Sequence, residues 1–450
     1  MSTTKVELPV EIASDGTILR SFQLSNNGIT VVISTVGAAI QSIHVPDYSS
    51  PSTTTKTTTN STTSNIVLGH TSPKQMYETS NPSYLGVIVG RVANRIQRGT
   101  FLLNNQINDT LDINNGPNHL HGGNVGFSHA IWNVQDKLDP TFTTTHDTND
   151  TTNDDTTNDT TTTMSHKNKN DDTMVILTHD SPHLDSGYPA SIQVQAIYQL
   201  LSLPSKSKSN NNNNNKGATL SLTMMGRLTH PHEEQLSTPI NLAQHSYFNL
   251  TGHDTPTGIL TQLLQLPSTH YTPKDETSIP TRIVAPIPVE RNLHSPTLLS
   301  DILLKWNIHG GDLSIPTRIS PSTETIPNDN DKDNDNQPHG MDHNFVILRP
   351  LSNPTIMAVA GVISCPTTNR RLTVTTTAPG VQVYTGNWLP KQWQGMCLET
   401  QHYPSSIMTN EESQQYPDFS LGKCFILEPS GENYHHVVEY HIGPNDNDKS

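Results

Sequence analysis

The sequence predicts an all-β fold, a sandwich or a barrel made of short antiparallel strands. Apolar side chains alternate with mostly polar ones along residues 191–199 and again along residues 219–229. A period of two is the pattern of a strand that buries one face. The 32 prolines and 26 glycines favour frequent turns, and no segment keeps helical periodicity beyond about three turns. The predicted inward-facing residues are Ile192, Val194, Ala196 and Tyr198 in the first segment, and Leu220, Leu222, Met224 and Leu228 in the second.

Further segments favour strands in the same way. The stretch from Ile29 to Val45 follows an Asn-Asn-Gly turn and is rich in Val and Ile, which suit strands. Segments 371–384 and 424–442 are also β-like. We expect one more strand near Trp132 and another at 174–178, because both stretches are apolar and bounded by polar sequence.

Four low-complexity segments rich in Thr, Asn, Ser and Asp interrupt this pattern. They explain much of the low apolar content of the chain, 32% without Gly, against roughly 45–50% with Gly in an average globular domain. Because they are too polar to form a core, we predict one domain over residues 1–450 with disordered inserts that have no catalytic function. The third insert lies between the two alternating strands, so we expect an enlarged hairpin loop there. The predicted inserts are 51–64, 141–172, 205–216 and 325–338.

Charge and composition exclude several classes of protein. The net charge is −15 and no basic stripe is present, so we expect neither a nucleic-acid partner nor binding to an anionic membrane. No stretch approaches the ~20 apolar residues of a membrane span, and the first 20 residues lack the apolar core of a secretory signal. The three cysteines are widely spaced and odd in number. They predict no disulfide framework, and a reducing, cytoplasmic location fits them best.

Most of the 22 histidines carry no readable signal. His119 and His121 have the spacing that puts both side chains on one face of a strand, but no Asp, Glu or Cys accompanies them at a fixed ligand spacing. We therefore expect no metal and no cofactor. His435 and His436 are adjacent, and we predict that they point to opposite faces of an exposed edge strand.

Six motifs combine aromatic rings or glycine turns with Arg, His, Asn, Asp, Gln or Glu. Such a set suits a neutral, hydroxylated ligand such as a sugar, because amide, carboxylate and guanidinium groups read hydroxyls while rings cover C–H faces. Gln382 alternates with Val381 and Val383, so it points away from their face and can line a cleft. The motifs are G-R-V-A-N-R-I at 90–96, P-N-H-L-H-G-G at 117–123, H-S-Y-F-N-L at 245–250, M-D-H-N-F at 341–345, P-G-V-Q-V-Y-T-G-N at 379–387 and C-L-E-T-Q at 397–401.

In this order the six motifs resemble those of the aldose 1-epimerase (galactose mutarotase) family. The resemblance covers roughly residues 10–442 outside the inserts, and the pairing of G-R-V-A-N-R-I with H-S-Y-F-N-L is its most specific part. It implies a large antiparallel β-sandwich of the galactose mutarotase-like supersandwich type, with the sugar in an open cleft on one sheet. It also implies cofactor-free interconversion of the α and β anomers of free hexoses such as D-glucose and D-galactose, by a monomer or homodimer.

The resemblance further implies a role for each matching side chain. Glu399 of C-L-E-T-Q resembles the family's general base, and His245 of H-S-Y-F-N-L its general acid. His121, before the Gly-Gly pair, resembles the histidine that contacts the region of the ring oxygen. From reference pKa values near 4.3 and 6.5, we expect Glu399 to be ionised and His245 to be protonated near neutral pH if a carboxylate lies beside it. The residues that would bind sugar hydroxyls are Asn94, Arg95, Asp342 and Gln382.

The chain departs from the family's pattern at three places. Gln244 stands where the family usually has Asn, and Ala190 stands where it usually has Gly. Pro404, Ser405 and Ser406 replace a Pro-Asp-Ala-Val-Asn-like run after C-L-E-T-Q. No proposed catalytic group is lost, but the serine pair can alter the turn that positions Glu399.

Three other functions remain open from the sequence. A catalytically silent sugar-binding protein would be expected to lack Glu399 or His245, and both are present. A sugar-phosphate epimerase would require a basic residue near the cleft besides Arg95, and the sequence identifies none. A glycosidase or lyase would need a carboxylate pair, for which Asp342 and Glu399 are the only candidates in the motifs.

Overall fold

The computed structural model describes residues 3–49, 63–142, 173–203, 217–229, 235–305, 340–350, 353 and 355–445. Most of each predicted insert lies outside these ranges. Where an insert is described, Thr63 and Ser64 belong to a strand, and Thr141 and Phe142 lie in a single 3-10 turn with Phe142 buried. Within the described part of the chain, no helix is both long and apolar enough to cross a membrane.

Strands dominate the described residues, which confirms the predicted all-β class. The strands are β1 (Thr4–Glu7), β2 (Glu11–Ile12), β3 (Ile18–Leu19), β4 (Ser21–Asn26), β5 (Ile29–Ser34), β6 (Ile40–Pro46), β7 (Thr63–Asn65), β8 (Ile88–Val89), β9 (Arg95–Ile96), β10 (Phe101–Leu103), β11 (Gln106–Asn108), β12 (His119–Leu120), β13 (Asn133–Gln135), β14 (Met174–Ser181), β15 (Ile192–Ser202), β16 (Ala218–Leu228), β17 (Thr238–Ile240), β18 (Ala243–Gln244), β19 (Tyr247–Phe248), β20 (Leu263–Gln265), β21 (His270–Thr272), β22 (Ala285–Pro286), β23 (Thr297–Leu298), β24 (Asp342–Val346), β25 (Ala358–Cys365), β26 (Arg370–Thr376), β27 (Gly380–Tyr384), β28 (Met396–Gln401), β29 (Phe425–Leu427) and β30 (Tyr434–Pro444). The helices are α1 (Pro73–Glu78), α2 (Gly126–His129), α3 (Leu299–Lys305), α4 (Asn410–Gln415) and α5 (Pro417–Ser420).

Three antiparallel sheets form the body of the protein. The largest has nine strands in the order β13-β14-β15-β16-β30-β26-β25-β20-β23. A six-stranded sheet runs β19-β28-β27-β24-β21-β22, and a five-stranded sheet runs β1-β4-β5-β6-β7. All three contribute side chains to one continuous buried cluster, so their inner faces pack together as a sandwich.

The two alternating strands of the sequence lie in the middle of the nine-stranded sheet. β15 and β16 pair antiparallel from Ile192 opposite Leu228 to Ser202 opposite Ala218, which confirms the predicted hairpin. Their predicted inward residues are all buried in the shared cluster. Further polar ties join the layers: the hydroxyl of Tyr198 donates to the carbonyl of Ala38 at 2.5 Å, and Arg370 donates to the carbonyls of β6.

Two local predictions are wrong. β30 is central rather than an edge, since it pairs with β16 on one side and β26 on the other. His435 and His436 do alternate in exposure, but His436 is 3% exposed and its ring contacts the hydroxyls of Thr376 and Thr400. The strand alternation predicted for His119 and His121 also fails, because β12 ends at Leu120 and His121 takes a φ of +51°.

Candidate functional site

The outer face of the six-stranded sheet presents a row of polar side chains. Asn344 of β24 lies opposite Gln382 of β27, and Gln382 lies opposite Glu399 of β28. Residues directly opposite in an antiparallel sheet share a face, with Cβ atoms about 4.5–5.5 Å apart. Val381 and Val383 are buried on the inner face, which confirms the predicted orientation of Gln382. The period of two in each strand therefore assembles one polar surface from separate motifs.

A second row lies two residues along the same strands. Asp342 is opposite Tyr384, which is opposite Cys397, which in turn pairs with Tyr247. His245 precedes Tyr247 by two residues, and their ring centroids are 5.1 Å apart. The strands thus bring the acid and the base of the predicted pair to adjacent positions on one surface.

The other wall of the site comes from the segment around β9 and β12. Arg95 of β9 lies opposite Leu120 of β12, so the next residue, His121, follows directly at the edge of the site. Gly122 has a φ of +87°, and a Cβ there would lie 1.7 Å from the carbonyl oxygen of Gly90. Only glycine fits this turn, and the turn directs the His121 ring towards His245, at 5.2 Å between centroids.

The two arginines of G-R-V-A-N-R-I have different environments. Arg91 is 1% exposed, and its guanidinium donates to the carbonyls of Pro189 and Ala190 at 2.7 and 2.9 Å. Arg95 is partly exposed and its Nε donates to the side chain of Asn115 at 2.9 Å. Arg91 therefore stabilises the fold, while Arg95 lines the cleft.

The departures from the family pattern are accommodated locally. Gln244 donates to the carbonyl of Gly86 at 2.6 Å and accepts from the amide of Ser246 at 2.8 Å, so it fixes the backbone on both sides of His245. Ser405 donates its amide to the carbonyl of Arg95 at 2.8 Å and accepts from the amide of Gln97. The serine thereby ties the segment after Glu399 to the wall that carries Arg95. Ala190 has a φ of +61°, a conformation that favours glycine.

His245 and Glu399 form the centre of the site. Nε2 of His245 and Oε2 of Glu399 are 3.6 Å apart, and the two side chains are 5% and 3% exposed. This distance is too long for a hydrogen bond, and Oε2 of Glu399 has no hydrogen-bond partner among the described residues. A buried carboxyl oxygen without a partner is suited to accept from a ligand hydroxyl.

Burial reverses the order of the two pKa values expected from reference compounds. Loss of solvation, with the nearby Asp342 carboxylate adding to it, raises the pKa of Glu399 to about 8. Loss of solvation lowers the pKa of His245 to about 4. The ligand-free pair therefore holds one proton near neutral pH, mainly on Glu399 rather than on His245. The sequence predicted the opposite distribution, with Glu399 ionised and His245 protonated. The structure differs because a low-dielectric site favours the neutral pair.

The hydrogen bonding of His121 fixes which ring nitrogen carries its proton. The backbone amide of Asn94 donates to Nδ1 of His121 at 3.2 Å. Burial and the neighbouring His245 hold the pKa of His121 well below its usual value, so the ring is neutral. With Nδ1 accepting, the proton lies on Nε2 and makes that nitrogen a hydrogen-bond donor.

His121, His245 and Glu399 offer three possible ligand atoms within 4.8 Å of one another. The resemblance named all three residues, but no local ligand spacing indicated this grouping, because its members are far apart in the chain. The set fits a metal ion poorly, since Nδ1 of His121 already accepts from a backbone amide and the neutral ring keeps its proton on the other nitrogen. The arrangement is better suited to proton transfer among the three groups.

Asp342 is held as a carboxylate by its neighbours. Burial alone would raise its pKa, but Lys274, Arg95 and a hydrogen bond from Gln382 outweigh burial and hold the pKa well below its usual value. Nε2 of Gln382 donates to Oδ1 of Asp342 at 2.6 Å, and Nζ of Lys274 lies 3.3 Å from Oδ2. Oε1 of Gln382 has no hydrogen-bond partner in the described part of the chain.

The structure brings all seven predicted site residues into one region. Asn94, Arg95, Asp342 and Gln382 line a small open cleft, while His121, His245 and Glu399 form the adjacent cluster. His119 lies apart from them, with its ring bonded to the carbonyl of Asp112 and the hydroxyl of Tyr188, both at 2.7 Å. The roles of the seven residues stay predictions.

Two residues of the region were missed from the sequence. Tyr84 covers the histidines, with its ring centroid 4.7 Å from that of His121 and 5.8 Å from that of His245. Lys274 lines the cleft and is 8% exposed. Its place directly before the Asp-Glu-Thr run at 275–277 was the available signal, because that run is part of the resemblance. Tyr84 is a single tyrosine in a loop, and the sequence around it gave no signal of a functional role.

Comparison with known proteins agrees with this geometry. The family model "Aldose 1-epimerase" matches residues 20–165 and 162–419. Galactose mutarotase of Mus musculus is 28% identical over 447 residues, which span 95% of each chain. Aldose 1-epimerase of Escherichia coli (strain K12) is 24% identical over 440 residues, 95% of this chain and 96% of the relative.

Solved structures support the same fold. An aldose epimerase homologue from C. elegans superposes with a TM-score of 0.62 at 16% identity, covering 98% of this chain and 99% of the other. Galactose 1-epimerase from Lactobacillus acidophilus NCFM superposes with a TM-score of 0.60 at 19% identity, with the same coverage. At such identities the likeness concerns the fold, and it confirms the predicted galactose mutarotase-like β-sandwich.

Proposed function

The chain belongs to the aldose 1-epimerase family, and from that premise we propose that it interconverts the α and β anomers of free aldohexoses such as D-glucose and D-galactose. The observation that carries this proposal is the buried pair of His245 and Glu399, 3.6 Å apart beside a cleft lined by hydroxyl-binding groups. Its galactose mutarotase relatives span nearly the whole chain, which supports the same activity.

The proposed reaction needs one base and one acid. Glu399, as a carboxylate, takes the proton of the anomeric hydroxyl, and His245, as an imidazolium, gives a proton to the ring oxygen. The C1–O5 bond breaks, the aldehyde forms, and rotation about C1–C2 exposes its other face. Return of the two protons closes the ring to the other anomer. The reactive form differs from the main ligand-free form only by transfer of one proton from Glu399 to His245.

Neighbouring side chains orient the sugar. In this proposal Nε2–H of His121 donates to the region of the ring oxygen. We expect Asp342, which is held as a carboxylate, to accept from sugar hydroxyls. Oε1 of Gln382 has no partner among the described residues and can accept from another hydroxyl. The terminal nitrogens of Arg95 have no acceptor among the described residues, so with Asn94 they provide donors for further hydroxyls.

The remaining parts of the proposal concern cellular location, oligomeric state and domain organisation. Cys365, Cys397 and Cys424 are all free and buried, which agrees with a reducing, cytoplasmic location. We propose a monomer or homodimer, acting as one domain in which the inserts have no catalytic function.

Polarimetry of fresh α-D-glucose and α-D-galactose tests the activity directly. With the protein present, the optical rotation should reach equilibrium faster than the spontaneous reaction, in proportion to protein concentration. Protein that binds either sugar without accelerating its mutarotation would instead be a silent sugar-binding member of the fold. A protein that neither binds nor accelerates would contradict both functions.

We expect a bell-shaped dependence of kcat/KM on pH. Below about pH 4 the pair takes up a second proton on His245, so no base remains; above about pH 8 it loses its only proton from Glu399, so no acid remains. The pH profile depends on the total number of protons bound to the pair. It is therefore the same whether the single proton is on Glu399 or on His245. The rate should be measured at constant ionic strength and corrected for spontaneous mutarotation. Undiminished activity at pH 10 would contradict this assignment.

We also expect activity to persist without a metal ion. Both proton-transfer groups are side chains, and the hydrogen bond to His121 makes the three-residue cluster a poor ligand set. The measurement is the mutarotation rate before and after exhaustive chelation, with the metal content of the protein determined in parallel. A rate that collapses on chelation and returns with one specific divalent ion would show that the cluster binds a functional metal.

A further inference from the structure

Lys274 is a buried cation in the proposed sugar cleft. It lies two residues beyond the end of β21, and its Nζ donates to the main-chain carbonyl of Asp342 at 2.6 Å and to Oδ2 of the same residue at 3.3 Å. An ammonium group has three N–H donors. The third has no acceptor among the described residues, and the side chain lines the cleft together with Arg95.

The charges around the cleft leave a positive excess. Lys274 and Arg95 contribute two cations, and Asp342 contributes one carboxylate. Glu399 and His245 share one proton and are neutral as a pair. The carboxylate of Asp275, the residue after Lys274, does not line the cleft. Its Oδ1 instead accepts hydrogen bonds within its own turn, from the amide and hydroxyl of Thr277 and from the amide of Ile279.

The position of Lys274 sets which part of a sugar it can reach. Nζ of Lys274 contacts Asp342 of β24, and one strand, β27, lies between β24 and the strand β28 that carries Glu399. At about 4.8 Å between neighbouring strands, the backbones of β24 and β28 lie roughly 10 Å apart. With the anomeric carbon at Glu399, Lys274 therefore faces the end of the sugar that is remote from that carbon. Asn344, also on β24, has an Oδ1 without a hydrogen-bond partner among the described residues, so hydroxyl acceptors accompany the cation.

We propose that Lys274 is a specificity-determining residue that forms, with Arg95, a subsite for an anionic substituent at the end of the sugar remote from the anomeric carbon. The ligand class is an aldose with a free C1 and a negative charge at C6, either a hexuronate carboxylate or a hexose 6-phosphate. The inference rests on the proposed anomer exchange. An ammonium hydrogen and terminal guanidinium nitrogens that have no acceptor among the described residues form the arrangement that binds carboxylate and phosphoryl oxygens.

The test compares neutral and anionic sugars of one configuration. NMR magnetisation exchange between the α and β anomeric protons at equilibrium gives the catalysed rate for D-galactose, D-galacturonate and D-galactose 6-phosphate. We expect kcat/KM for at least one anionic sugar to match or exceed that for D-galactose, and to fall with added salt. Comparison of the rates for D-galacturonate and D-galactose 6-phosphate distinguishes a carboxylate subsite from a phosphoryl subsite.

Variants separate this role from the support that Lys274 gives to Asp342. Lys274→Met should lower kcat/KM for the preferred anionic sugar at least about tenfold more than for D-galactose, mostly through KM, and Lys274→Arg should restore much of the difference. Lys391→Met removes an exposed lysine and should change neither rate. Equal losses for neutral and anionic sugars would show that Lys274 only positions Asp342.

The unmodified protein keeps the proposal falsifiable if the Lys274 variants do not fold. Exchange of D-galactose without exchange of either anionic sugar would overturn the subsite and leave the proposed function intact. Absence of catalysed exchange for all three sugars would overturn the proposed function itself.

Discussion

Glu399→Gln is expected to lower kcat for anomer exchange by at least about a hundredfold, because general acid–base groups typically contribute roughly 10²–10⁴-fold. The amide keeps the size and polarity of the carboxyl group but cannot take the anomeric proton. The loss should fall on kcat, because the hydroxyl contacts proposed for Asp342, Gln382 and Arg95 are unchanged in the variant. KM should therefore change much less. The measurement is initial-rate polarimetry over a range of sugar concentrations.

The fold should tolerate this substitution. Oε2 of Glu399 has no hydrogen-bond partner among the described residues, and burial makes the ionised carboxyl costly, so a neutral amide fits the site. Glu428→Gln changes an exposed glutamate and serves as the matched control, with parent activity expected. If a Glu399→Gln protein with the parent melting temperature keeps near-parent kcat, Glu399 is not the base.

His245→Asn is the second substitution with a large expected effect, again at least about a hundredfold in kcat. Asparagine keeps a polar side chain but cannot deliver a proton to the ring oxygen at neutral pH. The alkaline fall in rate should also change, because the remaining Glu399 no longer shares its proton with an imidazole. The pH profile and kcat of the variant together measure this.

Two comparisons make the His245 result specific. His129→Asn alters an exposed histidine at the end of α2 and should leave kcat unchanged. Nε2–H of His121 is the nearest alternative donor, with its ring centroid 5.2 Å from that of His245. A folded His245→Asn variant that stays fully active would therefore transfer the acid role to His121, and the double variant would test that transfer.

Local patterns in the sequence are most reliable where one face of a strand is buried. The alternation in β15 and β16 predicted their buried residues and their pairing as a hairpin. The same alternation placed Gln382 opposite to Val381 and Val383. These predictions hold because a strand that buries one face fixes the direction of every second side chain.

The prediction for His119 and His121 was wrong because a two-residue strand gives way to a turn. The φ of +51° at His121 sends its ring to the site while His119 bonds to Tyr188 and Asp112. The exposed edge predicted for His435 and His436 was wrong because strand order depends on pairing between distant segments, and here β30 lies between β16 and β26. Neither the turn at His121 nor the central position of β30 can be predicted from a local sequence pattern.

The sequence by itself determined the all-β class, the family and the identities of the seven candidate site residues, because strand periodicity and dense polar motifs are local properties. Only the tertiary structure decided how these residues act on one another. It brought Lys274 to the carboxylate of Asp342, 68 positions away in the chain. It also placed Glu399 and His245 together out of solvent, where the pKa of Glu399 rises to about 8 and that of His245 falls to about 4. Both results depend on distances and burial that are set by the packing of the sheets. A short stretch of sequence does not determine either quantity.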